Sequence, residues 1–147
     1  TPTPTPTPNQ AVALQAIVAL TGYPKNQEAV ARAGALRPLL ALFSIGPGCP
    51  TALTAAEALR NLARTDKMKD VLREDGGFGP IHKALHADPD SEFGVMATNI
   101  VRNLAANKTN QDFLREHRGN PLQILVDMLD RGPSSRGAEQ ESGAIVK

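Results

Sequence analysis

The sequence predicts an all-α protein assembled from stacked helical repeats, and three observations predict it. An apolar pattern of helical period returns every forty-two residues, glycines punctuate it at nearly the same interval, and no stretch of strand-like alternation remains between the pieces. Ala55, Ala58, Leu59 and Leu62 return as Ala97, Ile100, Val101 and Leu104, and one interval earlier stand Ala13, Ala16, Ile17 and Leu20. All are apolar, and their spacing of three, four and seven is the buried stripe of an amphipathic helix. Arg60-Asn61-Leu62-Ala63 itself recurs as Arg102-Asn103-Leu104-Ala105.

A second set keeps the interval. Val30, Leu72 and Leu114 each follow another apolar residue, Ala29, Val71 and Phe113, and mark a short second helix. A third set follows a glycine: Gly34 leads into Leu36, Leu39, Leu42 and Phe43, and Gly76 into Phe78, Ile81, Ala84 and Leu85. The third copy is expected to drift by two residues, with Gly119 leading into Leu122, Leu125, Met128 and Leu129. Pro38 and Pro80 fall in the first turn of this helix, where a missing amide donor does little harm. Each unit therefore reads as a long helix, a short helix, a glycine corner and a helix of about ten residues.

Asn9, Thr51 and the Asp88-Pro89-Asp90-Ser91 cluster precede the long helices and are the expected caps. Gly46-Pro47-Gly48 and Gly132-Pro133-Ser134-Ser135 interrupt the pattern between units. The division is a Thr-Pro linker over 1–9, repeats over 10–43, 44–85 and 86–131, and a loop with the start of a fourth repeat helix over 132–147. In that last segment Ala144 and Ile145 take the places of Ile100 and Val101. From Ala11 to Leu20 only Gln15 is polar, so the first helix expects cover on nearly every side. The chain reads as an excerpt of a longer array, because end repeats of a free solenoid present a polar outer face.

Composition removes several functions. Lys plus Arg number 16 against 15 Asp plus Glu, so no basic nucleic-acid surface is advertised, and 3% aromatics without Trp offer no stacking platforms. Cys49 is alone, which rules out an internal disulfide framework or a thiolate zinc site. No run approaches the roughly 20 apolar residues of a membrane span, and the Thr-Pro start is not a secretory signal. The expectation is a soluble, cytoplasmic protein with no cofactor, metal or small-molecule substrate, and not an enzyme. His82 and His86 share one helix, but His117 belongs to another repeat and no third ligand is visible. Gly76-Gly77-Phe78-Gly79-Pro80 lacks the Lys of a phosphate loop and follows no strand. No nucleophile, base and orienting acid stand at a recognisable spacing. The Thr-Pro run favours an extended polyproline spacer, with a docking segment or proline-directed phosphorylation sites as alternatives.

Asn26-Gln27-Glu28-Ala29-Val30-Ala31-Arg32-Ala33-Gly34-Ala35-Leu36 and Ala55-Ala56-Glu57-Ala58-Leu59-Arg60-Asn61-Leu62-Ala63 resemble the armadillo repeat in length, helix order and residue type. The interval favours armadillo or HEAT over shorter repeats, and the glycine corner with the Asn-Leu-Ala ending favours armadillo. The resemblance covers residues 10 to 130 and implies a right-handed α–α superhelix whose long helices line a groove. It further implies that Asn61 and Asn103 hold the backbone of an extended partner peptide, since a carboxamide offers both donor and acceptor. Glu57 and Asn99 would complete the lining. Two departures matter. Ala19 stands where the first Asn would be, and Gln15, Glu57 and Asn99 stand where the nuclear-import receptors of this family carry Trp, which argues against that role.

The expected function is thus a non-catalytic scaffold binding an extended segment of a partner protein. The alternative is a structural subunit locked by its faces into a large cytoskeletal or ciliary assembly. Bracing of neighbouring loops by Asn61 and Asn103 is an equal competitor to peptide binding, and Arg60 and Arg102 read as solvated surface. A regulatory array tethered to an enzyme elsewhere in a longer chain is a third possibility.

Overall fold

The structure, a computed structural model, describes residues 5–87 and 89–131. Within them the chain forms nine α-helices and no strand. The long helices are α1 (Pro8–Thr21), α4 (Pro50–Leu62) and α7 (Glu92–Leu104); the short ones are α2 (Pro24–Arg32), α5 (Asp66–Glu74) and α8 (Lys108–Glu116). The third class is α3 (Leu36–Phe43), α6 (Phe78–His86) and α9 (Pro121–Asp130). Long helices start at residues 8, 50 and 92 and short ones at 24, 66 and 108, so both classes keep the forty-two-residue interval.

The glycine corners owe their residue type to backbone conformation. Gly34, Gly76 and Gly119 have φ of 86°, 78° and 101°, the left-handed region where a side chain is strained. Each lets a short helix reverse into the third helix of its triplet. In the last triplet Asn120 is also left-handed, at φ 52°, and caps α9 by accepting a hydrogen bond from the Gln123 amide.

The expected two-residue drift is corrected to one, because two residues, His117 and Arg118, separate α8 from Gly119 where Ala33 and Asp75 alone separate α2 from Gly34 and α5 from Gly76. α9 begins one residue late, at 121 rather than 120. The buried first positions are Leu36, Phe78 and Pro121, and Ile124, Leu125 and Met128 pack partly against the core. Leu122 and Leu129, expected inside, are exposed.

Two caps also differ from expectation. Thr7, not Asn9, caps α1: its hydroxyl accepts from the Gln10 amide at 3.2 Å while Gln10 Oε1 accepts from the Thr7 amide at 2.8 Å. This reciprocal capping box recruits Pro8 as the first helical residue, so the end of the Thr-Pro run is helical rather than linker. α4 begins with Pro50 after Cys49, with no side-chain cap, in place of the expected Thr51. Ser91 caps α7 as expected, accepting from the Gly94 amide at 3.0 Å. The expected fourth-repeat helix lies outside the described residues, as do residues 1–4 of the Thr-Pro run.

The core runs along the stack. α4 packs on α1 and α3 on one side and on α7 on the other; α7 packs in turn on α4 and α6. Ala55, Ala58, Leu59, Leu62, Ala97, Ile100 and Leu104 are all fully buried as a result. Phe43 of α3 stacks on Phe93 of α7 with ring centres 4.9 Å apart. The prediction fails in α1, where Ala13, Ala16 and Leu20 are exposed and Leu14 and Thr21 are the buried residues. The repeated stripe is buried by the layer before it, and α1 has no such layer among the described residues.

Candidate functional site

Of the four residues expected to line a groove, Glu57 and Asn61 lie on α4 and Asn99 and Asn103 on α7, two long helices that pack against each other. Glu57 and Asn99 occupy one register of these helices, and Asn61 and Asn103 the register one turn later. Glu57 and Asn99 are half-buried, with the Glu57 carboxylate 4.0 Å from the Arg60 guanidinium. Asn103 is half-buried; Asn61 is only 6% exposed.

Both Asn side chains donate backwards, into the preceding triplet. Asn61 Nδ2 donates to the Thr21 hydroxyl at 3.4 Å, and Asn103 Nδ2 donates to the Arg60 carbonyl at 3.3 Å. Gln27 reinforces the first contact, its Nε2 donating to the Thr21 carbonyl at 2.9 Å and to the Asn61 carbonyl at 3.0 Å. One amide thereby ties the end of α1 to the end of α4. Asn103 Oδ1 accepts no hydrogen bond from the described residues.

A second polar cluster joins α5 to α8, and it was not singled out in the sequence. Asn110 is fully buried, with Nδ2 donating to the Leu104 carbonyl at 3.0 Å and the Lys69 carbonyl at 3.4 Å. Its Oδ1 accepts from Arg73 Nη1, which also donates to Asp70 Oδ1 at 2.9 Å. Asn107 caps α8 and donates to the same Asp70 oxygen at 3.2 Å. The signal was present in the interval: Asn110 stands one period after Met68, itself buried, and a polar residue at a buried register must find partners. Between α2 and α5 the Glu28 carboxylate pairs with Lys67. The hydrogen bond and charge of Lys67 hold the Glu28 carboxyl below its ordinary value.

The three histidines come together, contrary to their separation in sequence. His82 lies with its ring centre 4.9 Å from that of His86 and 5.4 Å from that of His117, and His82 Nε2 is 3.1 Å from the Gly119 carbonyl oxygen. Among the described residues no group of three or more His, Cys, Asp or Glu is disposed to hold a metal ion. His82 instead packs the α6 surface against the next corner. Cys49 is half-buried with a free thiol. No helix of the described residues is long and apolar enough to cross a membrane.

Residues 24–64 match the family model described as Armadillo/beta-catenin-like repeat, a span running from α2 through α3 to the end of α4. That match supports an armadillo-repeat family. No curated protein and no solved structure matches the chain.

Proposed function

We propose that the chain is a non-catalytic protein-interaction module. Its helix triplets continue a right-handed α–α superhelix and bind an extended segment of a partner protein along the groove lined by Glu57, Asn61, Asn99 and Asn103. Armadillo repeats are in general interaction scaffolds, and the matched repeat contributes two of these four residues.

The observation that carries the reading is the division of labour within Asn103. The residue is half-buried; its amide nitrogen is engaged by the Arg60 carbonyl, which fixes the side chain, while its Oδ1 has no partner among the described residues. A fixed acceptor on a groove wall suits the N–H of an extended peptide whatever side chain that peptide carries. Asn61, far less accessible, serves chiefly to hold α1 against α4, and Asn99 offers a second carboxamide one turn from Asn103.

Selection from a displayed library of unstructured peptides tests this. The wild-type chain is expected to enrich peptides whose affinity falls about tenfold or more, roughly 1.4 kcal/mol, in Asn103→Ala, with helicity by circular dichroism retained. Peptides that bind Asn103→Ala and the Asn61→Ala/Asn103→Ala variant as well as wild type would remove the groove from the account. Association would then rest on the end faces and favour the structural-subunit reading.

A further inference from the structure

All four Thr-Pro dipeptides of the chain lie in its first eight residues, and no Ser-Pro dipeptide occurs anywhere in it. Two of the four, Thr5-Pro6 and Thr7-Pro8, fall within the described residues. The dipeptides are chemically identical, so a protein kinase that requires Pro after its acceptor residue would read them alike in an unfolded chain. The fold treats them differently.

Proline pushes the residue before it into extended backbone, so each Thr is presented on an extended stretch. Thr5 is exposed, neither Pro6 nor Thr7 after it is helical, and its hydroxyl has no partner among the described residues. Thr7 is exposed too, but its hydroxyl is the α1 cap. Oγ1 accepts from the Gln10 amide at 3.2 Å, Gln10 Oε1 accepts from the Thr7 amide at 2.8 Å, and Pro8, Asn9 and Gln10 form the first turn of α1. A hydroxyl oxygen that accepts an amide proton is held back from attack on phosphorus. The residues after Thr7 would also have to leave the helix before they could lie extended in an enzyme's cleft.

We propose that Thr5 is a phosphorylation site for a proline-directed protein kinase, and that the capping box shields Thr7 from the same enzyme. In the reaction Thr5 Oγ1 attacks the γ-phosphorus of ATP, the bond from that phosphorus to the bridging oxygen breaks to release ADP, and the hydroxyl proton passes to the kinase's carboxylate base. The product carries about 1.5 to 2 negative charges at pH 7. They stand three residues before a helix, Pro8–Thr21, that contains no charged residue. Opening the box forfeits what a Thr cap contributes, a factor of about five in population, so Thr7 reacts about fivefold or more slowly than Thr5. The site is independent of the groove reading, since none of Glu57, Asn61, Asn99 and Asn103 takes part in it.

The test uses the whole chain with Thr1→Val and Thr3→Val, so that Thr5 and Thr7 are the only Thr-Pro acceptors. It is incubated with Mg·ATP and an active mitogen-activated protein kinase as the proline-directed probe, and mass spectrometry of the digested product times phosphate arrival at each residue. The initial rate at Thr5 is expected to exceed that at Thr7 by about fivefold or more. Gln10→Pro removes the amide donor and the side-chain acceptor of the box together, and is expected to bring Thr7 up to the Thr5 rate. Circular dichroism checks that the remaining helices persist in that variant. No phosphate at Thr5, or Thr7 modified as fast as Thr5 while the box is intact, overturns the proposal. A preference for Thr5 that survives Gln10→Pro also overturns it, because the kinase would then be reading the flanking residues and not the start of α1.

Discussion

Leu20 and Leu62 occupy the same place one repeat apart, yet Leu20 is 46% exposed and Leu62 is completely buried. The two side chains are chemically identical and sit on helices of the same class. What differs is the neighbour: α4 has α1 and α3 behind it, whereas no described element lies behind α1. Stability in such a stack lives between layers rather than within a helix.

Truncation of the two leucines is therefore expected to give unequal costs. Leu62→Ala should destabilise the fold by about 2–5 kcal/mol, because it opens a cavity in a packed interior. Leu20→Ala should stay within about 1 kcal/mol. Urea unfolding monitored by circular dichroism, at a concentration where the chain is monomeric, gives both values; equal losses would contradict the layer assignment.

Asn110 is expected to be the costliest polar residue to remove. Asn110→Ala strips the Leu104 and Lys69 carbonyls and Arg73 of a buried partner at once. A buried group left unsatisfied costs about 1–3 kcal/mol. Asn107→Ala, on a less buried cap, should cost about 1 kcal/mol. A reversed order in thermal unfolding would show that the α5–α8 cluster does not couple the layers.

Gly119→Ala and Gly34→Ala share the penalty of a left-handed backbone, about 1–2 kcal/mol. A Cβ at Gly34 meets open space, but one at Gly119 falls 2.6 Å from His82 Cε1. Gly119→Ala is expected to cost more, and the excess should vanish in a His82→Ala background. A double-mutant cycle by chemical denaturation reads this directly.

The Glu28–Lys67 pair sets the sign of one pH effect. The folded-state pKa of Glu28 is depressed, first by the Lys67 hydrogen bond and then by its charge. The pair's contribution is therefore present above the unfolded carboxylate pKa and lost as pH falls through the lower folded value. Lys67→Ala is expected to move the Glu28 carboxyl titration upward, as followed by carboxyl-carbon NMR, and salt should weaken the difference. An unmoved titration would mean that the pair does not form in solution.

Periodicity made the helix classes, their order and the corner glycines legible, because each is fixed by local chemistry: apolar spacing for the helices, left-handed φ for the glycines. Burial was less legible, since it depends on the neighbouring layer; Ala13 and Ala55 are the same residue in the same register with opposite surroundings. The α9 register was misread because one extra residue between Glu116 and Gly119 shifts the helix start by one, and Leu122 and Leu129 made a false two-residue drift look apolar and plausible. The cap of α1 was misplaced for a similar reason: the Thr-Pro repetition concealed that Thr7, Pro8 and Gln10 together form a helix start. At the candidate groove, the type and register of Asn61 and Asn103 were readable. The direction of their amides was not, because Thr21, Gln27 and the Arg60 carbonyl come from an earlier layer.

Thiol accessibility at three equivalent positions measures the stacking itself. In a Cys49→Ser background, Leu20→Cys, Leu62→Cys and Leu104→Cys each report one layer through reaction with a water-soluble alkylating reagent under native conditions, slowed by burial. The cysteine at position 20 is expected to react at the rate of an exposed thiol, while those at 62 and 104 stay protected until the protein unfolds. Equal, rapid reaction at all three positions in folded protein would contradict the account.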